Sequence, residues 1–153
     1  MIKTIIILFS ALIMGCALSA DAQVRVVNET ESEIFRTGKN TRYQVGTSKL
    51  KDGKIKLYYT SDKEDDITLA EVILKNEDDF NELFNIITDV FEKKPDLPVK
   101  VDLGDSYLQI YHISMLVGPS IIKLNHAYKS APYNSIISKN MSYKEIKKLF
   151  DKP

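Results

Sequence analysis

Between positions 80 and 91 the apolar residues recur at spacings of three and four: Phe80, Leu83, Phe84, Ile87, Val90 and Phe91, with Ile86 at the flank. At about 100° per residue they form a stripe roughly 120° wide, and Asn81, Glu82, Asn85, Asp89 and Glu92 take the opposite side. The pattern predicts an amphipathic helix over about 77–94. Asn76 suits its N-cap, and Asp79 is placed to return the hydrogen bond as in a capping box. Glu77, Asp78 and Asp79 complement the positive end of the helix dipole, and Lys93 and Lys94 the negative end. Pro95 and Pro98 stop the helix. Ahead of it, Ile67 to Leu74 is apolar except for Thr68 and Glu71, which predicts a central strand.

Elsewhere the period is two. Thr41 to Leu50 reads as a strand, Lys51-Asp52-Gly53 as a turn, and Lys54 to Thr60 as a strand with Ile55, Leu57 and Tyr59 inward. Residues 23–40 are polar with short β-prone islands and predict an extended arm or edge strand, leaving 41–153 as one domain. Val99, Val101 and Leu103 alternate with Lys100 and Asp102. A two-residue turn at Gly104-Asp105 pairs Leu103 with Ser106, Val101 with Leu108 and Val99 with Ile110. The next strand is expected to run on to Val117, turn at Gly118-Pro119 and return through Ser120 to His126, pairing Val117 with Ser120 and Met115 with Ile122. These two registers bury opposite faces of one strand. A β-bulge near Tyr111-His112, or coverage of both faces, would reconcile them, and the bulge would re-aim those side chains.

After a loop from Tyr128 to Asn140, with a short strand near Ser135 to Ser138, Ser142 and Glu145 predict a capping box. Met141 and Ile146 make the staple of a short C-terminal helix carrying Ile146, Leu149 and Phe150 on one side. The stretches ILKNEDDFNEL and IISKNMSYKEI resemble one another and hint at two related strand-to-helix halves. The expected fold class is α+β: an antiparallel sheet of about five to seven strands, the 77–94 helix across one face, and the short helix at the end.

The beginning of the chain is not read as part of this domain. Lys3, the apolar run from Ile5 to Leu18, and Ala20-Asp21-Ala22 follow the order of a secretory signal covering residues 1–22. Cleavage there leaves 131 of the 153 residues, enough for one core. Ile13-Met14-Gly15-Cys16 offers the alternative of a lipidated Cys16, and the run is shorter than the roughly 20 residues of a membrane span. Cys16 is the only cysteine, so the mature chain has neither disulfide nor thiolate chemistry, which suits a bacterial envelope protein. Asn28-Glu29-Thr30 and Asn140-Met141-Ser142 match the glycosylation pattern by chance in that setting.

Charge is balanced overall and uneven locally. Residues 62–82 hold nine acids and two bases, and residues 119–153 hold seven bases and two acids. Overall neutrality argues against a nucleic-acid partner. The acidic loop Ser61 to Asp66 lacks the ligand spacing and turn glycine of an EF-hand. No serine elbow, phosphate loop or H-E-x-x-H pattern occurs. His112 and His126 would face each other only in a register that spoils the apolar pairing, so neither a metal nor a cofactor is expected. Tyr107 and Tyr111 are of the type that anchors protein interfaces.

The expectation is a secreted or periplasmic, non-catalytic module for a protein partner, of inhibitor or immunity type. Its binding residues would be Tyr107, Tyr111, His112 and His126. The alternatives are a small hydrolase using His112 with a carboxylate such as Asp102, and a passive lipoprotein subunit anchored through Cys16. No stable membrane span is expected after processing.

Overall fold

The computed structural model describes residues 32–37, 43–63 and 67–153. The leader, the Cys16 lipidation motif and Asn28 lie outside them, as do acids 64–66 of the loop weighed for calcium.

The helical stripe folds as its period dictates. Helix α1 spans Glu77–Lys93 and buries Phe80, Leu83, Ile87 and Val90, with Phe84, Ile86 and Phe91 half-buried. Asn76 accepts the Asp79 N–H at 2.9 Å, while the Asp79 carboxylate accepts from the Lys75 N–H at 3.2 Å, one residue before the cap. Lys94 ends the helix in the left-handed region, with φ 48°.

Four antiparallel strands precede α1 in a meander: β1 (Ser32–Thr37), β2 (Val45–Lys49), β3 (Ile55–Thr60) and β4 (Leu69–Leu74). The arm expected at 23–40 therefore includes an edge strand. β3 alternates as expected, with Ile55, Leu57 and Tyr59 buried. β4 does not lie centrally. It is an edge of this sheet, with Ala70, Val72 and Leu74 buried and Leu69 and Ile73 each 44% exposed. Near-continuous apolarity normally marks coverage on both faces, and here one face is left open.

The second sheet holds β5 (Val99–Asp102), β6 (Ser106–Ile113), β7 (Ile121–Tyr128), β8 (Ile136–Ile137) and β9 (Met141–Ser142), with β8 and β9 both paired to β7. The β5–β6 hairpin has the expected register, Val99 opposite Ile110 and Val101 opposite Leu108. Its turn is closed by Leu103 N–H to Ser106 C=O at 3.0 Å, with Gly104 at φ 90°, where only glycine sits easily.

The β6–β7 register differs from the expected one. β6 ends at Ile113, which pairs with Ile121, and Ser114 to Ser120 form a loop. Relative to a Gly118-Pro119 turn, the pairing has slipped by three residues. An odd slip reverses the face, so Leu108 and Ile110 now share the inner side with Ile122 and Leu124. The conflict of phases disappears, and no bulge forms at Tyr111-His112.

The short helix α2 (Tyr143–Leu149) has the complete capping box, Glu145 N–H to Ser142 Oγ at 3.3 Å and Ser142 N–H to Glu145 Oε2 at 2.8 Å. The fold is α+β, with two antiparallel sheets, one main helix and a short C-terminal helix. The sheets meet at one corner, where Ser61 bridges Ser138 and Tyr59 Oη donates to the Ile136 carbonyl at 3.0 Å. Both sheets and both helices feed one core, in which Phe150 stacks on Phe80 with ring centroids 4.6 Å apart.

Candidate functional site

The β6–β7 loop is where the apolar pattern and the fold disagree most. Eight paired residues on each strand hold its ends, so the loop projects from a stiff ladder. It carries three consecutive apolar side chains in water: Met115 is 49% exposed, Val117 89%, and Leu116 completely. Loops at this position are ordinarily polar, and adjacent exposed apolar side chains mark contact surfaces. Gly118 adopts φ 106° and Pro119 follows, which turns the chain back toward β7.

Two more apolar groups lie at the same end of the second sheet. The α1–β5 connection enters opposite Ile110, near the end of β6, and bears exposed Leu97. Ser142 pairs with Ile121 at the start of β7, which brings Tyr143 there, edge-on to Phe91 at 4.9 Å. His112 belongs to this end too. It lies opposite Ile122, and its Nε2 is buried without a hydrogen-bond partner among the described residues.

The four residues expected to form the site do not come together. Tyr107 and Tyr111 share the outer face of the second sheet, half-buried and already engaged. Lys100 Nζ sits 3.7 Å from the centre of the Tyr107 ring, a cation–π contact. Tyr111 Oη donates to Gln109 Oε1 at 3.1 Å, and the same oxygen accepts from Asn125 Nδ2 at 3.0 Å. His112 and His126 lie on the inner face, opposite Ile122 and Leu108 respectively. Those partners are four residues apart along the ladder, or roughly 13 Å, so the imidazoles do not meet. His126 is buried against the Tyr128 ring at 5.0 Å, and desolvation pushes its pKa down. Asp102, the carboxylate considered for His112, is opposite Tyr107 near the other end of β6 and binds Lys129 at 2.8 and 2.9 Å. That lysine, and the Gly104 N–H, lower its pKa.

Two clefts accompany these surfaces. One, of about 240 Å³, opens between the ends of β4 and β5 over α1. The other, of about 280 Å³, lies on the outer face of the first sheet among Arg36, Lys56, Tyr58 and Glu71. Among the described residues no group of three or more His, Cys, Asp or Glu could hold a metal, and no helix is long and apolar enough to cross a membrane. Sequence reasoning missed the exposed loop by running the strand on to Val117 with Met115 on a buried face. The available signal was three apolar residues in succession before Gly-Pro, where a half-buried strand would have alternated.

No family model, no curated protein and no solved structure matches this chain.

Proposed function

We propose that this protein is a secreted or periplasmic, non-catalytic module that binds a protein partner through the Ser114–Ser120 loop, in the manner of an inhibitor or immunity protein. One observation carries the reading: Leu116 and Val117 stand almost wholly in water at the tip of a stiff two-stranded ladder. Burying both would contribute roughly 3–6 kcal/mol before the costs of association. The ladder holds the loop's ends in place, which reduces the entropy lost on docking. A convex apolar tip calls for a concave receptor, as an enzyme cleft provides. The leader pattern from Lys3 to Ala22 supports export, with Gln23 as the first mature residue.

The test begins with capture of a partner from envelope extract by the tagged mature protein, followed by affinity measurements on variants. Leu116→Asp should weaken binding at least about tenfold and leave the melting midpoint unchanged. Equal binding by Leu116→Asp and parent would refute the loop. If Tyr111→Ala weakened binding instead, the tyrosine face would be the site.

A further inference from the structure

Among the described residues the sheets leave several strand edges without a neighbour, and they are not equally defended. β1 carries a register shift between Glu33 and Phe35. β5 has four residues, follows Pro98 and turns Lys100 and Asp102 outward. β8 and β9 have two residues each. Bulges, prolines, lysines and brevity are the devices by which an edge resists a further strand. β4 is the least defended: six residues, regular pairing to β3, no proline and no lysine, with Glu71 as its one outward charge.

The phase of that pairing shows what β4 offers. Ser61 N–H donates to Thr68 C=O at 2.9 Å, so alternate residues Ala70, Val72 and Leu74 bond to β3. Leu69, Glu71 and Ile73 therefore turn their N–H and C=O groups to the free edge, where no strand pairs with them among the described residues. The cleft of about 240 Å³ lies at the end of this edge. Leu83, Ile86, Val101 and Leu103 give it an apolar lining, and Asp79 and Glu82 outnumber Lys75 on it, Asp102 being paired with Lys129. Glu82 makes no ion pair among the described residues, Glu71 meets Lys56 only at 3.5 Å and keeps its side chain 46% exposed, and residues 62–82 carry nine acids against two bases.

We propose that β4 accepts an added strand from a partner segment in which apolar side chains alternate with Lys or Arg. The backbone of Leu69, Glu71 and Ile73 supplies the ladder, the cleft takes apolar side chains on the inner side, and Glu71 on the outer face selects for positive charge. A second copy pairing edge to edge would juxtapose two strongly acidic stretches, so the occupant is a basic partner and not this chain. The site is separate from the Ser114–Ser120 loop and stands or falls independently of it.

The probe is a short capped peptide alternating valine and lysine, with a valine–glutamate peptide as control, followed by amide hydrogen exchange. Saturating valine–lysine peptide should slow exchange of the Leu69, Glu71 and Ile73 amides at least about tenfold, while the control leaves them unchanged. Glu71→Lys should weaken the peptide about tenfold, and Ile73→Pro, which removes a free-edge donor without taking a bond from β3, by a similar factor. Should Ile73→Pro fail to fold, Glu71→Lys decides alone. No slowing at these three amides, slowing confined to other strands, or equal binding of the two peptides would overturn the proposal.

Discussion

Replacing Gly46 by alanine should destabilise the first sheet. Gly46 is paired with Arg36 on β1 and with Tyr58 on β3. A β-carbon there would lie 2.3 Å from Tyr58 Oη, 2.5 Å from Tyr58 Cζ and 2.7 Å from the Phe35 carbonyl oxygen. All three separations fall under 3.0 Å, closer than a β-carbon approaches either carbon or oxygen, so all three contacts are violations. The tyrosine ring lies across the glycine, a known way of covering the gap a glycine leaves in a sheet. The ring can swing aside at the expense of its packing. The carbonyl cannot, because it belongs to the backbone of β1, and relief would require that strand to move.

Overpacking typically costs about 1–3 kcal/mol, and two independent obstructions place this site in the upper half of that range. The lower chain entropy of unfolded alanine returns about 0.4–1 kcal/mol. The expected net loss is about 1–2.5 kcal/mol, read from urea unfolding monitored by circular dichroism. In a Tyr58→Ala background the ring obstruction is gone and the carbonyl remains. Gly46→Ala should then cost about 1 kcal/mol less than in the parent. A neutral Gly46→Ala, or costs that simply add, would refute the close approach.

In the core, Ile87→Ala should destabilise by about 2–5 kcal/mol, whereas Asn85→Ala, on the exposed side of α1, should stay within about 0.5 kcal/mol; urea melts distinguish them. Thr47 is fully buried and its Oγ1 donates to the Leu149 carbonyl at 2.7 Å, so Thr47→Val leaves that acceptor without its partner and should cost about 1–3 kcal/mol in the same assay. His126 has its folded pKa depressed by burial, so as pH falls below about 6.5 the unfolded chain takes up the proton first. Stability present at neutral pH should thus decline on the acid side by up to about 1.4 kcal/mol per pH unit. His126→Gln should flatten that slope in melts between about pH 7 and 5.

What the sequence disclosed follows the range of the forces involved. Helix α1 is set by a period and caps lying within its own turns, and the Gly104-Asp105 hairpin by the two residues that need that backbone. Both were legible because the information is local. The position of β4 was not, since edge or centre depends on which strand comes to lie beside it, and nothing within LAEVIL specifies that. The β6–β7 loop failed for a related reason. Gly118-Pro119 is good turn chemistry, yet pairing Leu124 with Ile110 and Ile122 with His112 extends the inner face already set by β5. That burial outweighs a tight turn and leaves Met115 to Val117 outside. Tyr107 and Tyr111 could be placed on one face from their spacing, but their engagement with Lys100 and Gln109 needed the cross-strand neighbours.

The resemblance between ILKNEDDFNEL and IISKNMSYKEI has a physical counterpart. Each half of the chain is an antiparallel meander that runs into a capped helix, at Asn76 and at Ser142. The helices do not simply close their own halves. α1 packs on β6 as well as on β4, and α2 on β1 and β2 as well as on β9. Phe150 joins them by stacking on Phe80 and tilting against Phe84 at 5.4 Å, and Thr47 anchors the end of α2 to β2. Neither half can bury its own helical stripe alone, so the inner faces of both sheets belong to one core. The residues outside that mutual coverage are the outer faces, the free edge of β4 and the tip beyond Ile113. A partner can therefore occupy the β4 edge or the tip without unpacking either half.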